Sequence, residues 1–276
     1  MIHIVTDSTA QLTDQEIETN HITVIPLTVT LNGKNYRDQI DVSRNEFSNQ
    51  LKTNREFPQT SQPSVGDFIE TYKRLFRPGD QIISIHIGSV LSGTVKTAEM
   101  AANQLTIPIK ILDSGLTDRG LGLVVLKATK LAQSQNTSGK IMSQLKNYLS
   151  QITLFCFINS LDYLVKGGRA NHATGFIYSL INLKLALSMP NGELKVVKKV
   201  RGKHGMQKLI NQIVDRITKD HQITQVGLSY VDSHQDTDAI ETALRAQRPD
   251  LKIVNQLTSP TIMTHVGPKG FAIIFA

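Results

Sequence analysis

The strongest constraint on this chain is a rhythm. Through its first half, short apolar runs of strand character alternate with longer amphipathic stretches bounded by capping residues and breakers. "IHIV" (2–5) reads as a buried strand, and "TDQEIETN" (13–20) as a helix opened by Thr13 with Glu16 three residues on. "SRNEFSNQL" (43–51) repeats that box with Ser43 and Glu46, and "SVGDFIETYKRLF" (64–76) is an amphipathic helix capped by Ser64 and stopped by Pro78-Gly79. Strand 81–87, helix 94–105, strand 109–112, helices 117–133 and 138–150 and strand 153–158 follow. Such alternation predicts a parallel sheet covered on both faces. Only "ITVIPLTVTLNGKNYRD" (22–38) breaks the rhythm, reading as a hairpin about Asn32-Gly33 with Pro26 confining its first strand to an edge.

Beyond about residue 158 the grammar changes. "LKLALSMPNGELKVVKKV" (183–200) is a second hairpin, about Pro-Asn-Gly, followed by helix 204–219, strand 224–231, helix 235–247 and strands 251–256 and 271–275. Hairpins mixed with helices point to an α+β layer. The expected fold class is therefore α/β. Residues 1–158 form an α/β/α domain with a hairpin insertion near 22–38, and residues 159–276 an α+β domain.

Composition narrows the function. With 276 residues, 40% hydrophobic and 19% charged, the chain can bury real cores. No secretory signal opens it and no apolar run approaches the length of a membrane span, so a cytoplasmic location is expected. Cys156, alone within "TLFCFIN", reads as an inert buried thiol. The net charge of +7 invites a nucleic-acid reading, but its one dense cluster, Lys195 to Lys208, lacks aromatic interleaving or a helix-turn-helix pattern. Nucleic acid is not expected as a partner. The eight histidines are scattered without metal-ligand spacing, so no metal site is expected.

Ligands of open α/β sheets bind beyond the carboxyl ends of the strands. Three loops there are hydroxyl-rich and poor in cations: Thr6-Asp7-Ser8-Thr9, Gly88 to Thr94, and Asp113-Ser114. Each has a capping explanation by itself; together they predict a polar crevice suited to a small anion. No phosphate-binding loop, dinucleotide fingerprint or G-x-S-x-G elbow occurs. A carboxylate held by hydroxyls fits, and so does an enzyme acting on a small phosphorylated or carboxylated metabolite.

Six motifs occur in order over nearly the whole chain: "VTDSTAQL" (5–12), "QTSQPS" (59–64), "SVLSGT" (89–94), "ILDSGLTDRGLG" (111–122), "LDYLVKGGRAN" (161–171) and "HVGPKG" (265–270). With these the chain resembles the DegV family of bacterial fatty-acid-binding proteins. The resemblance implies two domains holding one long-chain fatty acid such as palmitate between them, with no cofactor and no catalysis by the chain itself. It also implies a fatty acid kinase as partner, which phosphorylates the presented carboxylate; the acyl phosphate enters phospholipid synthesis. Carried over, Thr60, Ser92 and His265 would contact the carboxylate, with Ser61 and Gly93 close by, and protonation of His265 near neutral pH could tune the contact. Arg169 and the basic residues Lys198, Lys199 and Arg201 would face the kinase or, transiently, a membrane surface. Phe176, Ile177, Leu180 and Ile181 are a candidate tunnel wall. Two departures stand out: "LKLAL" (183–187) where relatives read close to "IKP", and Lys269 where they tend to have glycine.

Overall fold

A computed structural model describes residues 1–53, 56–173, 184–200 and 204–276. The proposed wall at 175–183 and Arg201 lie outside the described residues. From the amino terminus the elements are β1 (Ile2–Asp7), α1 (Asp14–Thr19), β2 (Thr23–Ile25), β3 (Thr28–Leu31), β4 (Lys34–Arg37), α2 (Arg44–Thr53), β5 (Gln59–Ser61) and α3 (Val65–Leu75). Next come β6 (Gln81–His86), α4 (Thr94–Ala102), β7 (Ile109–Asp113), α5 (Asp118–Gln133), α6 (Ser138–Leu149), β8 (Thr153–Ile158) and α7 (Asp162–Lys166). The chain continues through β9 (Lys184–Ser188), β10 (Lys195–Val200), α8 (His204–Lys219), β11 (Gln225–Tyr230), α9 (Gln235–Gln247), β12 (Lys252–Leu257), α10 (Pro260–Val266) and β13 (Phe271–Phe275).

The caps act as expected. Thr13 accepts from the Glu16 N–H at 3.1 Å while Glu16 accepts from the Thr13 N–H at 2.9 Å, and Ser64 with Asp67 repeats the box. Such reciprocal pairs satisfy amides that a helix start leaves free.

Four parallel strands in the order β2-β1-β6-β7 make the first sheet. Strand alternation divides its apolar residues: Val5 and Ile82 pack under α3 and α4 with Phe68, Tyr72 and Ala98, whereas Ile4, Ile83 and Ile85 face α5. The second sheet is mixed, in the order β10-β9-β8-β13-β11-β12, with only β11 and β12 parallel. Helices α8 and α9 cover one of its faces. Helix α5 packs on β1 and β6 of the first sheet and on β11 and β13 of the second. Buried between two sheets over its first turns, it holds Leu121, Leu123, Val124, Val125 and Ala128 at or near zero exposure.

Two expectations need correction. The segment 22–38 is not one hairpin: β2 joins the parallel sheet beside β1, and only β3 and β4 form the hairpin, about Asn32 and Gly33 with φ of 53° and 71°. Pro26 separates the two parts because it cannot donate to a ladder. The change of sheet also falls earlier than residue 158. β8 pairs with β13 and β9, so it belongs to the mixed sheet, joined to it by hydrogen bonds made far along the chain. The hairpin becomes a third sheet, β4-β3-β5, whose Val29 and Leu31 pack against Phe47 of α2 and Met263 of α10.

Candidate functional site

The first polar loop is buried inside the fold rather than lining a crevice. Asp7 accepts from the Thr9 amide and hydroxyl through one carboxylate oxygen, and through the other from the Ile87 amide at 2.9 Å, with His86 Nδ1 3.0 Å away. Ser84 and Tyr72 extend this chain, with Ser84 Oγ 2.7 Å from His86 Nε2 and the Tyr72 hydroxyl donating to Ser84 at 2.9 Å. Ser8 donates to Asp38 at 2.9 Å and accepts from the Leu27 amide. All of these side chains are shut from solvent. Asp113 and Ser114 line a separate cleft, where Asp113 accepts from the Gly115 and Ser89 amides. Of the three loops, only the one at 88–94 reaches the cavity described next.

That cavity lies between the first sheet's loops and the open face of the second sheet, with about 740 Å³ of empty space, its mouth included. Its floor comes from alternate residues of β8, Leu154, Cys156 and Ile158, which strand geometry places on one face, together with Leu187, Met189 and Leu194. Cys156 is an inert thiol, pushed up to about 12 by burial and the Asp118 charge. It forms part of the cavity wall.

The polar residues come from four elements that interlock. Thr60, held in β5 opposite Val29, places its hydroxyl 2.9 Å from His265 Nε2 on the last turn of α10. Ser259 caps α10 and Pro260 starts it, and Gly267, at φ 75°, ends it where a Cβ would strike the Tyr163 ring. Gly167 likewise leaves room for the imidazole, since a Cβ there would overlap His265 Nδ1. The "GGR" and "HVG" motifs thus fit into each other, α7 against α10. Arg169, which follows, donates from Nε to the Leu91 carbonyl at 3.0 Å and from Nη1 to the Gly167 carbonyl at 2.7 Å.

Gln62 Nε2 donates to Thr97 Oγ1 at 2.5 Å, and its Oε1 occupies the place a Cβ on Gly93 would take. "TSQPS" is thereby seated on "LSGT". Ser92 Oγ lies 2.9 Å from Thr94 Oγ1 and accepts weakly from the Thr94 amide at 3.4 Å, beside the start of α4.

The cavity therefore brings together Thr60, Ser61, Ser92 and His265. Gly93 does not line it; it is the seat for Gln62, which does. Arg169, expected on an outer surface, lines the cavity too, and its guanidinium charge helps hold His265 neutral. Sequence gives the charge of such a loop arginine and not its direction. Burial, then Arg169, push the imidazole down to about 3, so protonation near neutral pH does not occur. Arg169 is itself lowered by burial, and among the described residues no carboxylate forms a salt bridge with it. Thr261 was missed: it lines the cavity and donates to buried Asp38 at 2.6 Å, binding α10 to the hairpin. Lys198 is exposed and Lys199 half-buried on the edge strand β10. Lys269 takes a left-handed φ of 60°, its amide donating to Asp232, and it lines a different cleft.

No cluster of metal ligands occurs among the described residues, and no helix there is long and apolar enough to cross a membrane.

Fold and site define a class: an α/β protein with a largely apolar cavity lined also by hydroxyls, a neutral histidine and an arginine. A family model described as "Uncharacterised protein, DegV family" matches residues 1–276, and the chain belongs to the DegV family. A DegV domain-containing protein of Listeria monocytogenes is 35% identical over 279 residues, covering 99% of this chain and 98% of its own. One of Staphylococcus aureus is 32% identical, covering 98% and 97%. Among solved structures, DegV of Bacillus subtilis, a fatty acid binding protein, superposes with a TM-score of 0.91 at 27% identity, covering 99% and 98%. A Thermus thermophilus DegV family protein, whose structure concerns fatty acid binding, gives 0.87 at 26%, with the same coverage.

Proposed function

We propose that this chain binds one long-chain fatty acid, palmitate being representative, with its carboxylate among Thr60, Ser61, Ser92, His265 and Arg169 and its tail along the β8–β9 floor. The observation that carries the reading is the division of one cavity's lining. A guanidinium without a carboxylate partner among the described residues stands with hydroxyls and a neutral imidazole, and the remaining lining is almost wholly aliphatic. Such a surface complements an amphiphile with a single anionic end.

The energetics agree. Desolvating a carboxylate costs several kcal/mol unless it is fully hydrogen-bonded, and the Arg169 charge with the hydroxyl donors offsets that cost. Affinity then comes from the tail: at about 0.8 kcal/mol per buried methylene, a 16-carbon chain offers roughly 10 kcal/mol.

As a carrier, the chain performs no chemistry on its cargo. It presents the carboxylate to a fatty acid kinase in the cytoplasm, which supplies ATP and makes the acyl phosphate for phospholipid synthesis. Lys198 on the exposed edge strand belongs to the surface available to that kinase or to a membrane. Support for the carrier role is the likeness to DegV of Bacillus subtilis, a fatty acid binding protein, and the cavity's set of hydroxyls, imidazole and guanidinium. Calorimetric titration of delipidated protein with palmitate tests the binding: saturation at one acid per chain is expected, and no heat and no displacement would overturn it. Adding fatty acid kinase and ATP tests the presentation, through acyl phosphate formed only when the carrier is present.

A further inference from the structure

Beside the acyl cavity lies a second chamber, with about 360 Å³ of empty space, any opening included. The two share Thr117, Leu154, Cys156, Ile262 and Val266, and Cys156 of β8 with Ile262 and Val266 of α10 makes the neck between them. The chamber's surface is apolar throughout, and none of Thr60, Ser61, Ser92, Arg169 or His265 lines it. It suits hydrocarbon and not a carboxylate. We propose that the acyl tail leaves the β8–β9 floor over Cys156 and ends in this chamber, and that the small side chain of Ala272 is what admits it. This inference rests on the fatty-acid reading of the cavity.

Strand register accounts for the chamber. Leu187 of β9, Cys156 of β8, Ala272 of β13 and Ser229 of β11 pair in turn, forming one row across the sheet with side chains on one face. Leu187 and Cys156 line the first cavity, whereas Cys156, Ala272 and Ser229 line the chamber. Past Leu187 the side chains of this row are short, which leaves space beneath Thr117 and Asp118 at the start of α5 and beneath α10. The polar groups around that space satisfy one another. Asp118, at a left-handed φ of 55°, accepts from Ser229 Oγ, from Thr258 Oγ1 at 2.5 Å and from the Arg119 amide at 2.6 Å. The two hydroxyls are thereby turned to the carboxylate, and Asp118, Ser229, Val231, Thr258 and Ala272 are all buried. Toward β9 the surroundings differ. Leu154 and Met189 also border the polar cleft that holds Asp113 and Lys146, where further methylenes would gain little. The apolar route for a tail is across the row, from β8 toward β13 and β11.

The path is tested with a palmitate analogue carrying a photoreactive diazirine at its terminal carbon, bound to delipidated protein, irradiated and located by peptide mass spectrometry. Label within residues 229–231 or 270–272, lost when excess palmitate competes, is expected. Label confined to residues that line the first cavity, 187–194 above all, overturns the inference. The role of Ala272 is tested by titrating Ala272→Leu with palmitate and with dodecanoate. Each methylene denied burial costs about fourfold in affinity, so the three added carbons should weaken palmitate roughly 10- to 60-fold and dodecanoate far less. Equal losses for the two acids, or none for palmitate, overturn that role. Thermal unfolding checks the variant, and Ala272→Val replaces it if it does not fold, with a smaller loss of the same kind expected. A wild-type protein that binds neither acid and takes no label that palmitate competes away instead overturns the fatty-acid reading itself.

Discussion

At the residue scale, Arg169 and His265 divide the work at the headgroup. The imidazole, pushed down to about 3 by burial and by Arg169, carries no charge near neutral pH and pairs through Nε2 with the Thr60 hydroxyl, so the positive charge must come from the guanidinium. Arg169→Gln is therefore expected to weaken palmitate binding roughly 10- to 100-fold, the range for a hydrogen bond to a charged group. Hexadecanol, equally long but uncharged, should be affected far less; an equal loss for both would contradict the charge assignment. Two buried groups make stability depend on pH in opposite senses. Asp38, raised to about 6 by burial, holds its proton more tightly when folded, so its stabilisation is present at low pH and lost as pH rises through about 6. His265, lowered to about 3, resists protonation when folded, so its contribution is present above the ordinary histidine range and lost as pH falls toward about 3. Between roughly pH 4 and 6 the two slopes oppose each other. In melting curves across that window Asp38→Asn should fall off more steeply with acid than wild type, and His265→Gln less steeply. Identical profiles for all three would contradict it. That Thr60, Ser61, Ser92 and His265 line one cavity agrees with the motifs that single them out. The buried roles of Asp7, Ser8 and Thr9 were not legible, because a hydroxyl in a loop reads the same whether it faces a ligand or the interior of its own fold.

At the element scale, long periodic segments declared themselves, α3, α5 and α8 to within a residue or two. β5, α7 and α10 did not. With three, five and seven residues, they are too short to form alone and exist because β3 pairs with Thr60 and α7 packs on α10. The site is built mainly from such pieces. β8 illustrates a different blindness: "TLFCFIN" announces a strand, but its partners β9 and β13 lie far along the chain. Helix α5 is the layer that both sheets share, and its first turns press closely on the β1–α1 loop. A Cβ on Gly122 would lie 2.6 Å from the Gln11 carbonyl oxygen. Gly122→Ala should accordingly destabilise the protein by about 1–3 kcal/mol despite alanine's better helix propensity. Denaturant unfolding measures this, and a stabilised variant would show that the two backbones separate at no cost.

At the scale of the whole molecule, two sheets share one helix, and a small third sheet ties the loops of the first to α10 of the second. Along one side of this assembly the first sheet's loop at 88–94 meets the open face of β8 and β9, and the meeting makes a cavity with one polar end. Strand–helix alternation foretold the layers, and the motif order foretold the family. How the sheets divide the chain waited on pairings between distant segments. The central claim, that this cavity holds a single fatty acid, is tested most directly by native mass spectrometry of the purified protein. The account predicts a one-to-one adduct with the mass of a long-chain fatty acid, removed by delipidation and restored by palmitate. A bare chain that takes up no acid on reloading would contradict it.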